Sequence, residues 1–191
     1  MSYPRDSSLL TLAVGTDVRR LAYDGYPRDH ILGCDLRDVY IDLGYRLYKD
    51  TPGTNPIRFF TADIFSVSLS ADSPTVARET SLQSVESLDM LRGRLDHLYA
   101  GALFHLFDEE TQSAIALRMG LLLKRAPGSI VFGRHQGLQD AGLIADHMSR
   151  CVVNAWILLV QLIERAAQYP IRTFPSDMGG DVDEGIRAHR E

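Results

Sequence analysis

Several classes of protein are excluded by what this chain lacks. Its 191 residues include two cysteines, Cys34 and Cys151. That is too few for a disulfide scaffold, and neither stands in a CxxC or other metal-type spacing. No cluster of lysine and arginine exceeds a pair, and 25 acidic against 20 basic residues leave a formal charge of −5. A nucleic-acid surface would need a basic patch, and a membrane-surface protein a polybasic one; neither is expected. The first residues, MSYPRDSS, hold no apolar run of the kind a secretory leader carries. The most apolar segment, Cys151 to Ile163, is interrupted by Asn154 and Gln161 and falls short of the about 20 residues that span a bilayer. A cytoplasmic protein is the resulting expectation.

What is present reads as one globular unit. Hydrophobic content of 45% and charged content of 24% are ordinary for a soluble domain with a real core. Residues 1–168 are expected to form a single α/β domain, and 169–191, rich in Pro, Gly and Asp, a loose C-terminal tail. Along the chain, short apolar runs alternate with amphipathic segments. Strands are predicted at Leu9 to Val14, His30 to Leu36, Ile57 to Phe65, Arg94 to Leu103 and Pro127 to His135. Helices are predicted at Asp17 to Tyr23, Arg37 to Asp50, Val85 to Arg92, Asp108 to Ala126 and Leu138 to Ala167. The fourth of these has an acidic first turn and a basic last one, as the helix dipole favours. Residues 66–84 read as a long loop. Strand–helix alternation with continuously apolar strands predicts a mostly parallel sheet covered on both faces.

In such a sheet ligands bind beyond the carboxyl ends of the strands. Gly15 follows the first strand, Asp35 ends the second and Asp63 ends the third. An acid about 20 residues after a glycine turn suits a ribose diol, because one carboxylate can accept both hydroxyl protons. Asp63 could accept from the exocyclic amine of a purine. Each acid also has a plainer use, as a cap for the segment that follows it. Taken together, the three positions favour a nucleoside cofactor.

The segments GTDVRRLAYDGYP, LGCDLRDVYIDLGYRLYKD, FFTADIF, LRGRLDHLYAGALFHLFDEETQ and LLLKRAPGSIVFGRHQG, between Gly15 and Gly137, resemble the class I S-adenosylmethionine-dependent methyltransferases. The likeness is to the group that serves fungal terpenoid and meroterpenoid biosynthesis. The resemblance implies a Rossmann-like, mostly parallel sheet of seven strands or fewer, with S-adenosyl-L-methionine as cofactor. It implies methyl transfer to a small secondary metabolite, a terpenoid or meroterpenoid acid or hydroxyl. By position it implies that Gly15 and Asp17 represent the glycine motif. Asp35 would hold the ribose, Asp63 with Ile64 the adenine, and Ala100 to Leu103 would line the methionine side; Leu36 would belong to the same cofactor site. Aligned on GTD, Thr11 stands where the family motif has its first glycine. That feature keeps a second function open, a methyltransferase-like fold that has lost methyl transfer and serves as an isomerase or cyclase; the apolar C-terminal helix keeps open a third, a non-catalytic partner subunit.

His105, in ALFHLFDEE, is the candidate catalytic residue, a general base for a hydroxyl acceptor; its plainer role is to pack and cap the next helix. His135 is a similar candidate at the fifth strand. Asp140, Asp146 and His147 lack the tight spacing of a metal set, and no metal site is expected. Cys34 and the tyrosines Tyr40, Tyr45 and Tyr48 read as packing residues. Trp156 lies in the apolar segment 151–163, which is apolar nearly all round and so is buried by the fold or by another subunit; the favoured expectation is the interface of a homodimer.

Overall fold

The computed structural model describes residues 9–12, 15–70, 81–134, 142–143 and 151–152. Its main sheet has five strands: β1 (Leu9–Leu12), β2 (Ile31–Asp35), β3 (Arg58–Thr61), β4 (His97–Gly101) and β5 (Ile130–Arg134). They lie in the order β3-β2-β1-β4-β5, and every neighbouring pair is parallel. Three helices accompany them: α1 (Thr16–Tyr23), α2 (Asp38–Tyr48) and α3 (Glu109–Leu122). The expected α/β class and parallel sheet are both present.

Alternation along each strand divides the buried side chains between two cores. In β2, Ile31 joins Val18 and Ala22 of α1 and Phe59 of β3, with Ile41 and Tyr45 of α2 packed against them. Leu32 and Cys34 point the other way, into a larger core with Leu98 and Ala100 of β4 and Ile115, Met119 and Leu122 of α3. The only buried residue of α2 is Gly44, while Val39, Leu43 and Leu47 on its outer side are exposed.

The expected helix at Val85 to Arg92 is a short 3-10 turn, Leu88–Leu91. Leu88 and Leu91, three residues apart at the two ends of the turn, are both fully buried, a spacing that suits three residues per turn. The third strand ends at Thr61 rather than Phe65. There the Asp63 carboxylate accepts the Phe65 amide at 2.9 Å and starts a 3-10 turn, Ile64–Ser66. Helix α3 stops at Leu122, so the expected basic last turn lies outside it. The Lys124 amide donates instead to the Leu95 carbonyl at 2.8 Å, next to a parallel bridge between Leu95 and Leu123.

A continuous helix from Leu138 to Ala167 is not what forms. Gly142–Leu143 (β6) pairs antiparallel with Cys151–Val152 (β7). Glycine is a poor helix residue and β-branched valine favours extended backbone. Of the expected dimer segment 151–163, only this strand lies within the described residues.

Candidate functional site

Parallel strands bring their carboxyl ends to one edge, and neighbouring ends are about 5 Å apart. The run of parallel pairings puts Gly15, Asp35, Asp63 and the chain leaving β4 along that edge. Within it, β1 lies between β2 and β4. There the connections diverge, towards β2 on one side and from β3 across to β4 on the other, which is the switch point where open sheets bind ligands.

Gly15 caps α1 with φ 92 and ψ 7, in the left-handed region. Its carbonyl accepts the Arg19 amide at 3.1 Å. A β-carbon here would lie 2.6 Å from Arg19 Nη1 and 2.8 Å from the Phe59 ring. The single glycine of the turn is therefore needed both for its backbone and for space. Asp17 is exposed in the first turn of α1. Thr11 lies within β1, paired with Gly33 on one side and Tyr99 on the other, so it belongs to the ladder and not to the turn.

Asp35 is half-buried at the end of β2, and its Oδ1 accepts the Arg37 amide at 2.9 Å. A carboxylate has about four acceptor positions, so this bond leaves capacity for a diol. Leu36, beside it, is 62% exposed. Asp63 is exposed, its carboxylate engaged by the Phe65 amide, and Ile64 packs partly buried against the larger core. Asp63 thus does the capping work that was its plainer reading, whereas α2 has Arg37 as its N-cap with no side-chain cap bond, so Asp35 does not cap it; both acids stand at the strand ends. The Ala100 methyl is buried in the α3 core, so position 100 meets the edge through its backbone. Beyond Gly101, Ala102 takes a left-handed φ of 56. That conformation is costly for a residue with a β-carbon, and such strain gathers at functional sites. His105 is buried in the 3-10 turn Phe104–Leu106. The cap of α3 is Asp108, whose Oδ1 accepts the Thr111 amide at 2.8 Å, and not His105.

Cys34 is buried, and its thiol donates to the Ala62 carbonyl at 3.6 Å. Burial pushes its pKa up to about 12, which keeps it protonated and rules it out as a nucleophile at neutral pH.

Comparison with known proteins bears on this edge. No family model matches the chain. It is 33% identical over 129 residues, 68% of its length, to the O-methyltransferase phiE of a fungal species (strain ATCC 74256). It is 32% identical over 160 residues, 81% of its length, to the Asnovolin E/Chermesin D methyltransferase nvfJ of Aspergillus novofumigatus. To the O-methyltransferase atr3 of Stereocaulon alpinum it is 34% identical over 146 residues, 74% of its length. The chain belongs to the class I S-adenosylmethionine-dependent methyltransferases. It spans 37%, 51% and 36% of the lengths of these three relatives. Among solved structures, the PH0226 protein of Pyrococcus horikoshii OT3 matches 86% of the chain and 72% of its own length, with a TM-score of 0.51 at 14% identity; that likeness concerns the fold.

In this methyltransferase-family chain the sequence missed one group next to the turn. Arg19 forms a two-pronged ion pair with Asp50, Nε to Oδ2 at 2.8 Å and Nη2 to Oδ1 at 2.9 Å. The partners are 31 residues apart, so no local pattern links them; the only cue is the aromatic crowd of Tyr45, Tyr48 and Phe59. A cavity of about 550 Å³ beside this pair is lined by Thr16, Arg19, Tyr23, Arg28, Tyr48 and Thr54 among others. It includes neither Asp35 nor Asp63, and it meets the edge only through Thr16, the residue that follows Gly15. No cluster able to hold a metal occurs among the described residues. His135, Asp140, Asp146, His147 and Trp156 lie outside them.

Proposed function

We propose that the chain binds S-adenosylmethionine across the carboxyl edge of its sheet and transfers the methyl group to an oxygen of a small secondary metabolite. The acceptor class we favour is a terpenoid or meroterpenoid acid or hydroxyl. The observation that carries the reading is the hydrogen-bond acceptor held at that edge. Asp35 ends β2 with spare acceptor capacity beside the exposed Leu36, one strand from the left-handed Gly15 turn. The named activity of relatives at 32–34% identity supports the same reading.

The residues fit the cofactor by their chemistry. Asp35 would accept from the ribose hydroxyls, with Leu36 lying against the sugar. Asp63 and Ile64 would take the adenine, one by accepting a hydrogen bond and the other by apolar contact. The turn at Gly15 and Asp17, with the backbone from Ala100 to Leu103, would border the methionine portion. Bound S-adenosylmethionine supplies a methyl group on a sulfonium, already activated for in-line displacement. What remains for the protein is alignment and exclusion of water. In this proposal His105 accepts the proton of a hydroxyl acceptor, whereas a carboxylate acceptor needs no base. Self-association through residues 151–163 belongs to the same proposal, and a light-scattering mass of one chain would reject it.

Calorimetry with S-adenosylmethionine and S-adenosylhomocysteine tests the reading. Both should bind the wild-type chain, and Asp35→Ala should weaken them by about 100-fold or more, the loss of two hydrogen bonds to a charged acceptor. Absence of heat at millimolar cofactor would sink the methyltransferase proposal in favour of a fold that has lost methyl transfer. Retained affinity in Asp35→Ala would remove the ribose assignment alone.

A further inference from the structure

We infer that Arg19 is a positioning residue that sets the glycine turn, and that Asp50 holds it there. The inference rests on the reading of that turn as cofactor-binding. The Arg19 guanidinium lies directly behind Gly15. Its Nη1 donates to the Gly15 carbonyl at 3.3 Å, the oxygen that also accepts the Arg19 amide at 3.1 Å. The same guanidinium stands 4.7 Å from the centroids of both the Tyr48 and Phe59 rings and 5.5 Å from that of Tyr45. Its side chain is 10% exposed, so these contacts are shielded from solvent and worth more than their surface equivalents.

Asp50 completes the enclosure. It fixes the guanidinium plane through two parallel bonds, a geometry lysine cannot reproduce. The Asn55 amide holds Asp50 Oδ2 in turn at 2.7 Å. Tyr48 adds a direct tie to the first helical residue, its hydroxyl donating to Thr16 Oγ1 at 2.9 Å. A charge enclosed by three rings and a carboxylate is thus spent on one backbone carbonyl, that of the residue with φ 92. The volume a β-carbon at Gly15 would need is filled by Arg19 and Phe59. The turn is pressed from behind by side chains from α1, α2 and β3, so its outward conformation is set before any ligand arrives. Preorganisation of this kind raises affinity by lowering the ordering cost on binding.

The experiment uses the full chain and S-adenosylhomocysteine as probe. Arg19→Lys keeps the charge and loses the fork; it should bind about tenfold more weakly, because the turn must then be ordered on binding. Amide exchange in residues 15–19 should quicken more than that of β4, beyond any change set by the global unfolding midpoint. A purely structural role would move the midpoint and leave the affinity of the folded fraction alone. Affinity within twofold of wild type, with unchanged exchange at 15–19, overturns the inference. If Arg19→Lys unfolds the chain, the near-isosteric Asp50→Asn decides by the same two readouts. If the wild-type chain binds no cofactor, the functional reading fails, and local exchange alone still upholds or rejects the clamp.

Discussion

At the residue scale the Arg19–Asp50 pair has a pH signature. The hydrogen bonds from Arg19 hold the Asp50 carboxyl below the usual carboxylate range; its partial burial opposes this, and Asn55 adds to the lowering. A carboxylate whose folded pKa is depressed stabilises the fold fully above its unfolded pKa and loses that contribution as pH falls through the folded value. The stability difference between wild type and Asp50→Asn should therefore be complete at neutral pH and shrink below about pH 4. Denaturant titrations at a series of pH values would measure it, and a difference independent of pH down to acid unfolding would show the charge to be irrelevant. Legibility at this scale followed the range of the interaction. Gly15 and Asp35 were visible because a left-handed turn and a strand-end acid are local demands. Arg19 and Asp50 were not, because helix, strand and loop must assemble before the pair exists.

At the element scale, α2 ends on Lys49 in the left-handed region, φ 53 and ψ 37. That reversal sends Asp50 back towards Arg19, and the Asp50 amide donates to the Tyr45 carbonyl at 3.2 Å. A lysine there bears a steric cost that glycine avoids. Lys49→Gly should stabilise the chain by about 0.5–1 kcal/mol, after the greater freedom of glycine in the unfolded chain is subtracted. Thermal unfolding should rise by about 2 °C; a fall would mean that the lysine side chain contributes more than its backbone costs. The elements themselves were legible wherever periodicity governed them, as in β1 to β5 and α1 to α3. Their ends were not, because tertiary hydrogen bonds chose them. Asp63 ends β3 with a side-chain bond, and Leu95 draws Lys124 out of α3. The paired strands at Gly142–Leu143 and Cys151–Val152 were misread as helix because an apolar stretch has no period that distinguishes the two.

At the scale of the whole molecule, the sheet places its larger core on the α3 side and its candidate site along one rim. The two meet at Cys34. The thiol sits one residue before Asp35, buried to 1% exposure, and bonded across to Ala62, whose amide donates to the Asp35 carbonyl at 3.0 Å. No reagent can reach that sulfur until the β2–β3 rim parts. In a Cys151→Ser background, the rate of modification by a thiol-specific dye thus counts the openings of the rim that would carry the ribose. S-adenosylhomocysteine at ten times its dissociation constant should slow that rate about 11-fold if the open form cannot bind. An unchanged rate would mean that the rim parts without disturbing the ligand. One buried sulfur therefore makes this protein its own stopwatch, timing how often the edge beneath the proposed cofactor comes apart.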